Sequence, residues 1–354
     1  MLVATLASSG QARQAVIRVD DDKAQCPTAT YTSIQAAVDA ASAGTRIVVC
    51  PGMYAEQVTV PAGKDGLDLV SHVSAAAVIR APATATEPGD IVRVDGARDV
   101  TLRDFTVAGP LPDTLFCSVE RRTGIRVTGG GSASILRNHV TEIRSTSPAL
   151  RGCQNGIAIA VDAGSEAEIA WNRVDLYQKG GVLVNGEGAR AVVRANTITD
   201  AGATEITAPN GIQVSRGAEA LVAKNEVSGN VYALAPASSG TAILLYQPGA
   251  VTVEGNRVAR NDDGIALIAT SGATIRQNVV TDQLVYDGLY ADSDSTGNTF
   301  DGNRASGNAE HDCHDESAGT GTSGTGNEWK YNRGETENRE GLCKVAKARD
   351  KSVQ

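Results

Sequence analysis

The stretch NGIAIAVDAGSEAEIAWNRV, residues 155–174, alternates apolar side chains at Ile157, Ile159 and Val161. A glycine interrupts, alternation resumes at Ala167 and Ile169, and Asn172 precedes another short apolar step. The same cadence returns in TGIRVTGGGSASILRNHV (123–140), GGVLVNGEGARAVVRANTI (180–198), NGIQVSRGAEALVAKNEV (210–227), TAILLYQPGAVTVEGNRV (241–258) and DGIALIATSGATIRQNVV (263–280). Asn138, Asn172, Asn196, Asn225, Asn256, Asn278 and Asn303 close these units at intervals of 22 to 34 residues. A period in that range marks a solenoid, whose units bury their apolar faces only by stacking. Alternation of period two in short runs reads as strand, and helical spacing is absent through the repeats. Three short strands per unit, paired with their copies above and below at about 4.8 Å, describe a parallel β-helix with the asparagines in a ladder.

The chain has 354 residues, 38 glycines and only 4% aromatic residues, which suits one narrow coil filled with Val, Ile, Leu and Ala. Its formal charge of −9 argues against nucleic acid or an anionic membrane as partner. An anionic substrate would need a local basic patch or a bridging cation. Six cysteines fall into sequence-adjacent pairs, Cys26 with Cys50, Cys117 with Cys153 and Cys313 with Cys343. None has close metal-type spacing, so disulfides and an oxidising compartment are expected. The opening MLVATLASSGQA reads as a truncated export signal, with a small-x-small pattern at Gly10-Gln11-Ala12. With no apolar run of membrane-spanning length, the expected location is secreted or at the cell surface.

TSIQAAVDAASAG (32–44) has helical apolar spacing at Ile34, Ala37, Val38 and Ala41, a capping-box pair in Thr32 and Gln35, and Gly44 as a stop. A helix there would cover the open end of the first coil. The expected layout is a lead over 1–24, a cap helix over 25–45, about ten coils of three strands over 46–308, and a disulfide-stapled cap loop and tail over 309–354. The two longest intervals, AGPLPDTLFCSVERRTG and TEIRSTSPALRGCQNG, read as insertions before first strands, the usual place for a binding face.

YTSIQAAVDAASAGTRIVVCPGMYAEQVTV, together with the Gly-apolar and asparagine repeats, resembles the right-handed parallel β-helix proteins of the pectin-lyase-like superfamily over about residues 25 to 310. That superfamily holds lyases, hydrolases, esterases, epimerases, tailspikes and non-enzymatic surface proteins, so the resemblance speaks to fold more than to reaction. The Asn-Thr-Asp, Gly-His-Gly and Arg-Ile-Lys set of the polygalacturonases, the Gly-x-x-Asp-Phe-Ile-Phe-Gly of the methylesterases and the Arg-x-Pro-x-x-Arg of the pectate lyases find no match. The resemblance implies a cleft along the first strand and its preceding loops. Alternation then faces Arg126, Asn185, Gln213, Tyr246, Tyr290 and Asp292 outward, with Asn155, Lys179, Asn210, Asp262, Asp263 and Asp287 just before the strands.

Five of the eight tyrosines, Tyr177, Tyr232, Tyr246, Tyr286 and Tyr290, fall on this strand or the loop before it, as a saccharide track would require. Arg121, Arg122, Arg126, Arg144 and Arg151 gather at the long loops, where guanidinium forks match a uronate carboxylate; ordinary surface charge paired to Glu120 or Glu142 is the alternative. Asp263 and Asp287, one coil apart with Asp262 beside them, could serve as acid and base, as a calcium site, or as turn closures. His72 and His139 lie in early turns. His311, Asp312, His314 and Asp315 crowd EHDCHDE, which reads as a cap loop without metal, with a metal site as the alternative.

The expected function is an exported carbohydrate-active enzyme, a lyase, epimerase or hydrolase acting on a polysaccharide. Lys179, Arg126, Tyr246, Asp263 and Asp287 are its candidate catalytic residues. Arg122, Arg151, Asn155, Tyr177, Asn185, Asn210, Gln213, Tyr286, Tyr290 and Asp292 are its candidate substrate contacts. No cofactor is required, and calcium at Asp262, Asp263 and Asp287 is the candidate ion. A non-enzymatic glycan-binding or cell-surface protein and a small-molecule isomerase are the alternatives.

Overall fold

A computed structural model describes residues 14–112, 121–145, 147, 150, 152–235 and 238–343. Its strands form three sheets of ten, twelve and ten strands, and every strand pair within them is parallel. The sheet carrying the first strand of each repeat, called here the first sheet, runs from Val58–Pro61 to Cys313–Asp315. The second sheet has twelve strands, from Val16–Val19 to Glu328–Lys330, and the third runs from Gly52–Ala55 to Arg304–Ser306. This is the expected parallel β-helix. It reaches further than 46–308, because Val16–Val19 pairs with Arg46–Val49 at one end and Glu328–Lys330 pairs with Thr299–Asp301 at the other.

Register explains the core. Ile125, Ile159, Val182, Ile212, Ile243, Ile265 and Leu289 stack in one inward column, each almost fully buried. Each residue before a ladder asparagine holds the left-handed turn conformation, at φ 57° for Trp171, 53° for Ala195 and 56° for Lys224; only Gly255 and Gly302 in that column escape the Cβ cost. What offsets the strain is the amide ladder. Asn196 Nδ2 donates to Ile169 O at 2.8 Å and to Asn225 Oδ1 at 2.9 Å, and its backbone N–H donates to that same Oδ1 at 3.0 Å. The pattern repeats from Asn138 through Asn172, Asn196, Asn225, Asn256, Asn278 and Asn303 to Asn332. A second ladder, Asn230 to Asn261 to Gln283 to Asn308, lines another corner and does not follow the repeat signal, because glutamine interrupts it.

Helix Ile34–Ala40 buries Ile34, Ala37 and Val38 over the first coil. Ser33, not Thr32, is its N-cap, and the role expected of Gln35 falls to Glu56, which accepts from Ile34 N and Gln35 N at 2.8 and 2.9 Å. Gln35 instead pairs its amide with both backbone groups of Thr59, so a side chain blunts the open edge of the first sheet. The helix stops at Ala40, before Gly44. At the far end Phe300 stacks on Trp329 at 3.8 Å and Trp329 donates to Asp315, which turns the expected cap loop into continued coil. Disulfides join Cys26 to Cys50 and Cys313 to Cys343, as expected; Cys117 lies outside the described residues.

Replacing Asn225 by alanine strips partners from the backbone N–H and side-chain amide of Asn196 and from Val193 O. At about 1–3 kcal/mol per orphaned buried group, Asn225→Ala should lose at least about 3 kcal/mol in urea unfolding; a loss under about 1 kcal/mol would refute the ladder's role. On the third sheet, burial opposes ionisation of Asp175, but His139, Thr141 and Arg173 outweigh it and bring the carboxyl from 3.8 down to about 2. Stabilisation of a depressed carboxylate is complete above its unfolded value and disappears as pH falls through the folded one. Asp175→Asn should therefore cost on the order of 2 kcal/mol near neutral pH, with the gap to wild type closing between 3.8 and about 2.

Candidate functional site

On the outer side of the first sheet the register stacks three columns. One runs Ile157, Gly180, Asn210, Thr241, Asp263; a second runs Arg126, Ala160, Leu183, Gln213, Leu244, Ala266, Tyr290, His314; the third runs Asp162, Asn185, Ser215, Tyr246, Ile268. Because Ile265 pairs with Leu289, Asp287 stacks on Asp263. With strands about 4.8 Å apart, Lys179 stands three strands, about 14 Å, from Asp263, and Arg126 stands five, about 24 Å. The five candidate catalytic residues thus share a face but do not converge on one bond.

Of the arginines near the long loops, Arg121, Arg122 and Arg126 are committed to acids or a backbone carbonyl. Arg126 Nε lies 2.6 Å from Asp162, Arg121 lies 2.8 Å from the same carboxylate, and Arg122 pairs with Glu87 and donates to Pro88 O. Arg151 lies outside the described residues. Asn155 accepts from Arg122 N and holds the loop entry. Lys179 Nζ donates to Ala208 O at 2.7 Å, and burial pulls its pKa down to about 8. Mid-face, Asn210 donates to Gln213, Gln213 to Ser215 and Ser215 to Asn185, a line of uncharged hydrogen-bonding groups across two adjacent strands. Tyr246, the register partner of Ser215 on the next strand, stands half-buried on the outside.

Tyr177 is not on the face. It is 3% exposed and its hydroxyl donates to Asn230 at 2.6 Å, because the loop before Gly180 turns that ring into the corner of the coil, where alternation no longer applies. Asp262 and Asp292 serve the chain itself: Asp262 accepts from Tyr232 N and Gly240 N, and Asp292 from Ala269 N and Ser295 Oγ. The trio Asp262, Asp263 and Asp287 expected for calcium is therefore not a convergent set.

The structure assembles a different group. Asp287 Oδ1 accepts from His311 N at 3.0 Å and lies 3.2 Å from His311 Nδ1, while Oδ2 lies 2.8 Å from His314 Nδ1. Tyr290 packs edge-on against His314 at 5.2 Å and donates to Glu316. Asp263 is buried with Oδ1 unpartnered, and burial together with the charge of Asp287 pushes its pKa up to about 8. Burial opposes protonation of His314, but the hydrogen bond and charge of Asp287, with Glu316 and Glu310, raise its pKa overall. Tyr286 stands at the rim, its hydroxyl raised by burial and by Asp263. The sequence reading assigns His311 and His314 to a cap loop away from Asp287, because it ends the repeat at Asn308. Carried one coil further, the register pairs Leu289 with Cys313 and sets both histidines beside Asp287.

The model of the right-handed β-helix region matches residues 123–305, more than half of the chain. The chain belongs to the right-handed β-helix family. No curated protein matches it. Among solved structures it is similar to the GH136 lacto-N-biosidase from Eubacterium ramulus, at 12% identity, 90% of this chain, 63% of that chain and a TM-score of 0.57. It also resembles carrot pectin methylesterase, at 15% identity, 90% and 89% coverage and a TM-score of 0.45. The periplasmic alginate epimerase AlgG matches at 15% identity, 76% and 73% coverage and a TM-score of 0.41. At such identities the likeness is one of fold. In this β-helix, Tyr177→Phe should cost about 1 kcal/mol of stability through the lost bond to Asn230; a change in glycan affinity on that substitution would return Tyr177 to the binding face.

Proposed function

We propose that the protein is an exported glycoside hydrolase that holds an uncharged glycan along the outer face of the first sheet and cleaves it at the C-terminal end of that face. The observation that carries this is the stacking of Asp287 on Asp263 beneath the half-exposed Tyr290 and His314. Glycosidic hydrolysis needs one carboxyl group that gives a proton to the leaving oxygen and one that stays ionised. Asp287, which accepts from His311 N and faces two ring nitrogens, has the environment of the charged partner. Asp263, enclosed and with an oxygen to spare, has the environment of the proton donor.

Two features favour an uncharged substrate over a uronan. Arg121, Arg122 and Arg126 are neutralised by Asp162, Asp90 and Glu87, and the reacting end carries Asp263, Asp287 and Glu316. The amide and hydroxyl line from Asn210 to Asn185 suits sugar hydroxyls, and Tyr246 offers a ring for a C–H face. Two disulfides fit export into an oxidising compartment, and among the described residues no helix is long and apolar enough to cross a membrane.

One strand spacing, about 4.8 Å, is close to the roughly 5–5.5 Å carboxyl separation of retaining enzymes and short of the inverting range. Release of reducing ends from neutral oligosaccharides should therefore proceed with retained anomeric configuration, followed by proton NMR. Asp263→Asn and Asp287→Asn should each lower kcat by about 100-fold or more while leaving the unfolding midpoint in place. Inversion would rule out the nucleophile role of Asp287, and turnover undiminished in both variants would remove the site.

A further inference from the structure

Asp287 does not merely face two imidazoles; it faces the same nitrogen of each. Nδ1 of His311 lies 3.2 Å from Oδ1 and Nδ1 of His314 lies 2.8 Å from Oδ2, and the donor atoms of all three residues fall within 4.8 Å of one another. A tetrahedral zinc-type ion with ligands at about 2.0–2.1 Å sets neighbouring donors about 3.3 Å apart, close to the spacing found between Asp287 and each ring. Zinc-type sites also fix the second nitrogen of a ligating histidine with an outer carboxylate. Glu316 Oε1 stands 3.7 Å from His314 Nε2, beyond hydrogen-bond length but on the side where that outer partner would sit, and Glu316 is itself held by the Tyr290 hydroxyl at 3.0 Å. Stacked on Asp287, Asp263 keeps an unpartnered Oδ1 in a buried position.

We propose that Asp287, His311 and His314 form a three-ligand binding site for a divalent transition-metal ion of the zinc type. Two imidazole nitrogens select such an ion over calcium or magnesium, which take oxygen ligands. The rings are 28% and 14% exposed, which leaves the ion a path in from the face. This inference stands on the donor geometry and not on the hydrolytic reading. Where both hold, a bound ion withdraws Asp287 from proton transfer and from attack, so ion and glycan compete.

The test uses the full chain, stripped with EDTA and titrated calorimetrically with zinc chloride in the absence of any glycan. One ion should bind per chain. His311→Ala and His314→Ala should each weaken binding at least about tenfold, Glu316→Gln about 10- to 100-fold, and millimolar calcium should not displace zinc. Cobalt in place of zinc should give the visible bands of a four-coordinate nitrogen and oxygen site, lost in the double histidine variant. Thermal unfolding of each variant checks its fold, and His311→Ala, at the outer rim, decides the matter if His314→Ala does not fold. Equal zinc binding by wild type and the double variant, or displacement by calcium, would overturn the site. If zinc binds as described and glycan turnover is unaffected, the site stands and the catalytic role of Asp287 falls.

Discussion

The vertical register between parallel strands is the constraint on which everything else in the molecule depends. Residues 22 to 34 positions apart become neighbours at about 4.8 Å because each coil repeats the one below. That stacking places every turn amide of the asparagine ladder where it serves two coils at once, as Asn196 does for Ile169 and Asn225. A slip of one residue would turn the inward column of Ile159, Val182 and Ile212 to solvent and break each rung. The ladder therefore fixes register as well as satisfying the turns.

The same stacking is what makes a polar end on the outer face costly. Two acidic side chains at one strand position, Asp263 and Asp287, must lie one above the other, and both are buried. Water cannot screen the pair, so its repulsion has to be relieved by a proton, by the histidines or by a cation. A flat or irregular scaffold would let the carboxylates part; a β-helix, pinned by ladders at its corners, does not.

Charge elsewhere on the face is spent internally. Asp162 takes two guanidinium groups, Asp90 sits between Arg93 and Arg126, and Glu87 closes over Arg122. These pairs stiffen the long-loop end of the face and leave the middle to uncharged amides and hydroxyls. The acidic balance of the chain, −9 overall, is thus not cancelled where a substrate would lie.

The sequence alone determined the coil, its three-strand cadence, the asparagine ladder and the capping helix, because period and turn chemistry are local properties, while the pairing of Cys26 with Cys50 and Cys313 with Cys343 was an expectation that the structure settled. It also put Asp263 and Asp287 on one face one coil apart, since alternation and a known period suffice for that. Only the tertiary structure decided that Arg126 and Lys179 stand about 24 and 14 Å from Asp263, that Tyr177 turns inward to Asn230, and that Asp262 closes a loop. It alone brought His311 and His314 to Asp287. The physical reason is that a side chain's neighbours in a solenoid are set by which rung its residue occupies and by how each connecting loop bends. Loop geometry leaves no periodic mark in the chain, and the last rung was hidden where the repeat lost its asparagine and glycine signals.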